Sequence, residues 1–106
     1  MPGFFDGLRD GISDRAQEAV IRSKEAMDSQ HVKSAIDDLE EAKAKAIAAL
    51  GQDAHTMLVA KALDQAALAA KSSAIVDIDT QIANKQKELE DLHTSADAQV
   101  AEAKND

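Results

Sequence analysis

Apolar residues recur along this chain at steps of three and four, the spacing that lines one face of an α-helix, and almost nowhere at the alternating step of a strand. Residues 1–24 place Phe4, Phe5, Leu8, Ile12, Ala16, Ala19 and Val20 on one helical face, while Asp6, Arg9, Asp10, Asp14, Arg15 and Glu18 lie largely off it. From Met27 the stripe continues through Val32, Ala35, Ile36, Leu39, Ala42, Ala46, Ile47 and Leu50. Its mean spacing is wider than the 3.5-residue coiled-coil period, which predicts an almost straight or slightly right-handed stripe. Ile75, Ile78, Ile82, Lys85, Leu89, Leu92, Ala96, Gln99 and Ala103 then alternate by three and four with charged flanks, the mark of a coiled-coil seam. Lys85 and Gln99 interrupt that seam and help to set its register.

Between the two halves stand Gly51, Gln52 and Asp53. Gly51 has no Cβ and can take the left-handed conformation that ends many helices. Asp53 can accept hydrogen bonds from the free N–H groups opening a following helix. The pattern predicts an all-α chain: an amphipathic N-terminal helix over residues 1–26, then a long antiparallel helical hairpin over 27–106 with its tip near 50–53. Asp28 and Ser29 are the expected break between the two. The alternative is one unbroken helix through Gly51, which would cost about 1 kcal/mol relative to alanine there. Folding over at Gly51 would set Leu39 opposite about residue 64, Met27 opposite about 76 and Ile12 opposite about 91. A hairpin of that length buries one stripe per helix, so a second copy is expected to cover what remains, making the chain a homo-oligomer.

Composition reinforces the helical reading. Alanine dominates, Phe4 and Phe5 are the only aromatic residues, and Pro2 is the only proline. With 12 basic against 20 acidic residues the net charge is −8, and no basic stripe offers itself to a phosphate backbone, so nucleic acid is not an expected partner. There is no cysteine, which removes disulfides, thiol catalysis and thiolate metal sites together. No run approaches the roughly 20 apolar residues that span a bilayer. The first residues lack a secretory pattern, and a cytoplasmic location is expected.

The N-terminal face has two uses. Its phenylalanines could enter the headgroup boundary of a membrane, or the face could pack on the remainder of the bundle. Residues 1–25 hold four Arg and Lys against five acids, so lipid binding would rest on apolar area more than on charge. Gly3, Gly7 and Gly11 share one strip of this helix, weaken it in water and leave it needing a partner or a surface. Chemistry is sparse elsewhere. Glu90 and His93, like Asp28 and His31, stand three apart as the Glu-x-x-His ligands of ferritin-like di-metal sites do, making Glu90 and His93 weak metal candidates. No nucleophile elbow and no phosphate-binding glycine loop is present, so neither enzymatic activity nor a cofactor is expected.

The order of features resembles the phage-shock protein A and vesicle-inducing plastid protein family, relatives of the ESCRT-III membrane remodellers. The start Gly3–Ile12, GFFDGLRDGI, is similar to that family's short N-terminal amphipathic helix, and MDSQHVKSAIDDL at Met27–Leu39 is similar to the opening of its first long helix. The closest likeness lies in Ala49-Leu50, a short polar run, and MLVAKAL at Met57–Leu63. The resemblance implies peripheral membrane binding through Phe4, Phe5, Leu8 and Ile12 on the inner face of the membrane, under stress, with hairpins stacking into rods and rings; the heptad residues Ile75, Ile78, Ile82, Leu89 and Leu92 are the expected oligomer seam. The other readings are a soluble or secreted hairpin that binds another coiled-coil protein, and a metal-binding oligomer.

Overall fold

The computed structural model describes the backbone of residues 2–105 and the side chains of residues 14–104. Two helices account for it: α1 over Pro2–Val59 and α2 over Gln65–Asn105, joined by residues 60–64. No strand occurs among the described residues. Asp28 and Ser29 do not break α1, which continues through both, so residues 1–26 are not a separate helix.

The turn is not at Gly51-Gln52-Asp53. Gly51 sits inside α1 without a positive φ, and an added Cβ there would meet nothing within 4 Å. Helix formers on both sides carry the helix across it, at the modest cost that one interior glycine imposes. Thr56 Oγ1 donates to the Gln52 carbonyl at 2.9 Å, adding a side-chain hydrogen bond one turn beyond the glycine. The chain reverses instead after Val59. Lys61 takes the left-handed conformation with φ 55°, its N–H donates to the Leu58 carbonyl at 3.2 Å, and the Ala62 N–H donates to the Met57 carbonyl at 2.9 Å. That pair of reversed bonds is a Schellman cap with a lysine at the position usually held by glycine. Asp64 then opens α2: its Oδ1 accepts from the Ala67 N–H at 3.0 Å and its carbonyl accepts from the Leu68 N–H at 3.2 Å. Asp53, expected to cap the second helix, instead forms an ion pair with Lys71.

Contacts divide the chain into two units, residues 33–87 and residues 1–32 with 88–106. In the first, the turn folds α2 back antiparallel to α1, with Leu39, Lys43, Ala46, Leu50 and Met57 half-buried on one side and Leu68, Ile75, Ile78 and Ile82 on the other. Lys43 pairs with Asp79 at 2.7 Å. In the second unit the two helix sections are again antiparallel, around buried Val32, Ala96 and Val100 with half-buried Ile21, Leu89 and Leu92. Val100, not the exposed Gln99, continues the seam there.

On α1 the less exposed positions include Glu18, Glu25, Val32, Leu39, Ala46 and Asp53, with Arg22, Ser29, Ile36, Lys43, Leu50 and Met57 beside them. Both series step by seven residues, the coiled-coil period, where the apolar residues alone indicated a wider spacing. The difference arises because Met27 and Ile47 lie outside the seam, exposed, while six polar residues lie within it. The later turn also changes which residues face each other: Glu25 meets His93, where a turn at Gly51 would have set Met27 near residue 76.

Two substitutions test the position of the turn. Gly51→Ala should stabilise the chain by about 1 kcal/mol in urea unfolding followed by far-ultraviolet circular dichroism, since alanine is the better helix residue and has open space there. A turn at Gly51 would make the same change destabilising. Lys61→Gly should stabilise by roughly 0.5–1 kcal/mol, by relieving a left-handed backbone at a residue that carries a Cβ.

Candidate functional site

Within the unit formed by residues 1–32 and 88–106, four side chains close a ring of alternating charge. Arg22 and Glu25, three apart on α1, pair at 2.8 Å through Nη1 and Oε2. Glu25 Oε1 lies 2.7 Å from His93 Nδ1. His93 Nε2 lies 3.3 Å from Asp97 Oδ2, four residues further along α2. Arg22 Nη2 closes the ring by donating to Asp97 Oδ1 at 2.6 Å. The i,i+3 and i,i+4 spacings put each pair on one helical face, and the antiparallel register brings the two pairs together. Glu25 is the least exposed member, with its side chain at 14% against 66% for His93. A shallow groove bounded by Ile21, Lys24, Glu25, Asp28, Leu92, Ser95, Ala96 and Gln99 runs beside the ring.

The ring shifts the proton affinities of its members. Hydrogen bonding from Arg22, then from His93, holds Glu25 below its ordinary 4.5. Arg22 likewise holds Asp97 below its ordinary 3.8. Glu25, with the charge of Asp97 adding to it, raises His93 above its ordinary 6.5. Hydrogen bonds to Glu25 and then Asp97 raise Arg22 still further from deprotonation. The contribution of the two depressed carboxylates is present above their ordinary values and lost as pH falls through the lowered ones. The contribution of His93 is present below 6.5 and lost as pH rises through its raised value. The ring is therefore complete in the mildly acidic interval between those limits.

A second feature is the surface of α1 turned away from the seam. The side chains of Phe4, Phe5, Leu8 and Ile12 lie outside the described ones. That surface carries Ala16, Ala19 and Val20, all exposed, with Val20 at 68% and Met27 at 62%. Val20 stands two residues from the seam positions Glu18 and Arg22, and Met27 two residues from Glu25 and Ser29, which places both on the far side of the helix. Shallow grooves lined by Ala16, Gln17, Val20 and Ile21, and by Ala19, Val20, Ser23, Lys24, Met27 and Asp28, run along it. No helix among the described residues is long and apolar enough to cross a membrane.

No protein-family model, no curated protein and no solved structure matches the chain. The chain's own geometry is then the guide.

Among the residues singled out from sequence, Ile75, Ile78, Ile82, Leu89 and Leu92 are half-buried along α2. Gly51, Gln52 and Asp53 are interior to α1. His93 is engaged by Glu25 and Asp97, while Glu90 is exposed. Among the described residues, no group of three or more His, Cys, Asp and Glu is arranged to hold a metal ion. The ring went unseen in the sequence because its two halves, though each has legible helical spacing, meet only in a register that the turn at Lys61 sets.

The carboxylate arm of this cycle is testable by acid titration of stability. Arg22→Gln should lower stability at pH 7, and the deficit should shrink below about pH 4 and vanish once both carboxylates are protonated. A deficit of constant size across that range would mean that Arg22 acts through packing alone.

Proposed function

We propose that this protein is a self-associating helical hairpin that binds a membrane surface peripherally, on its cytoplasmic side, through the apolar face of residues 1–24. The observation that supports this most directly is the exposure of Val20 with Ala16 and Ala19, which continue the strip on which Phe5 and Ile12 stand. This portion of the face is exposed, and Phe5 and Ile12 precede Ala19 by whole heptads on the same strip. An apolar surface left outside the seam favours use as a docking surface over a place in the monomer's core. The near balance of charge in residues 1–25 makes apolar insertion, with little help from anionic headgroups, the basis of attachment.

Self-association rests on a separate consideration. Val32, Ala96 and Val100 are the buried hydrophobic side chains among the described residues, and Leu58, Val59, Leu63, Ile47 and Val76 are exposed. A pair of helices with so little fully buried surface gains stability by covering more of it with further copies. The likeness of the segment Gly3–Ile12 to the phage-shock protein A family supports the same combination of membrane contact and assembly.

Vesicle flotation of the full chain and of Phe4→Ser/Phe5→Ser tests the membrane contact. The full chain should float with neutral as well as anionic vesicles and stay bound in high salt, and the double variant should remain at the bottom of the gradient. If neither floats, the face serves a protein partner, and the soluble helical adaptor becomes the better reading.

A further inference from the structure

We propose that His93 is a proton-operated latch: as an imidazolium it bridges Glu25 and Asp97 and fastens the N-terminal part of α1 to α2, and as a neutral ring it loosens that hold. The geometry of the two ring nitrogens carries this. Both Nδ1 and Nε2 face carboxylate oxygens, at 2.7 and 3.3 Å. Nδ1 hydrogen-bonds Glu25, while Nε2 faces Asp97 as a close charge contact, so the ring attracts both carboxylates in full only as an imidazolium. Removing one proton leaves one nitrogen lone pair facing a carboxylate, and turns a neutral ring of two cations and two anions into one with an excess negative charge.

The charged groups around His93 are known from both helices. From α1 come Arg22 and Glu25, with Lys24 and Asp28 bordering the adjacent groove. From α2 comes Asp97, with Glu90 one helical turn before His93. The Glu18–Lys104 pair, at 3.8 Å, also joins the two helices in this unit. Arg22 holds its charge throughout, so it keeps part of the clasp when His93 is neutral. Histidine is the member that changes charge near neutrality.

A single exposed histidine would ordinarily matter little. Here it acts where the only buried hydrophobic side chains among the described residues are Val32, Ala96 and Val100, so the closed arrangement of this unit is held by few packing contacts. A small electrostatic change can then move the population of open and closed forms. Deprotonation should raise the open fraction about two- to fivefold, the range expected for loss of one surface bridge.

The test uses the full chain, whose lack of cysteine allows clean labelling. Nitroxides at Gln17→Cys and Ala101→Cys, both exposed positions in this unit, report the α1–α2 distance by pulsed electron paramagnetic resonance at pH 5.5 and pH 8.5. The unsubstituted His93 background should give a narrow, short distance at pH 5.5 and a broader distribution with a long component at pH 8.5. His93→Gln should show the long component at both values, and His93→Arg, which keeps a permanent cation, should show the short distance at both. Circular dichroism at each pH confirms that helices persist. A distribution that is identical at both pH values with His93 in place would overturn the latch. So would the same pH response in His93→Gln, which would assign the effect to a group other than His93. If His93→Gln does not fold, His93→Arg decides: retention of the pH response in that variant overturns the proposal.

Discussion

The structure depends on a seam that is only partly apolar. Charged residues occupy heptad positions of α1 where a coiled coil would ordinarily carry leucine, and they meet opposite charges on α2: Asp53 with Lys71, Lys43 with Asp79, Glu25 with His93. Each of these pairs is exposed enough to contribute little to stability by itself. Their weight lies in what happens when they are not made. A slip of one helical turn would leave Glu25 with only Arg22 of its own helix, and would part Lys43 from Asp79 and Asp53 from Lys71 together. The pairs therefore select one register among several that the small apolar side chains would tolerate.

Helicity was legible because alanine and the three-and-four spacing both point the same way. The place of the turn was not. Gly51-Gln52-Asp53 has the residue types that a helical hairpin prefers, and Lys61-Ala62-Leu63-Asp64 lacks glycine altogether. In the structure the interior glycine is absorbed by a strong helix, and the reversal is built from a Schellman cap at Lys61 and a side-chain cap at Asp64. The aspartate at position 64 was a visible cue, standing just before a run of alanines as an N-cap does. The seam of α1 was hidden for a related reason. Reading apolar residues alone admits Met27 and Ile47 and leaves out Glu25, Lys43 and Asp53, which shifts the apparent period away from seven.

The candidate site follows from the same two facts. With the turn at Lys61, Arg22 and Glu25 arrive beside His93 and Asp97, and the four make a closed ring instead of two separate helix-surface pairs. Val20 and Met27, displaced from the seam by half a turn, are left facing outward. Val20 and Met27 thus lie on the side of α1 opposite the seam that holds α2.

The position of the Schellman cap also dictates an order of assembly. Contacts near Lys61 close short loops, whereas the Glu25–His93 and Arg22–Asp97 contacts join residues 68 and 75 positions apart. Chain entropy penalises the longer closures unless the shorter ones are already in place. The hairpin is in this sense a zipper whose slider starts at the turn, and the ring of charges is among the last teeth to engage and the first to part.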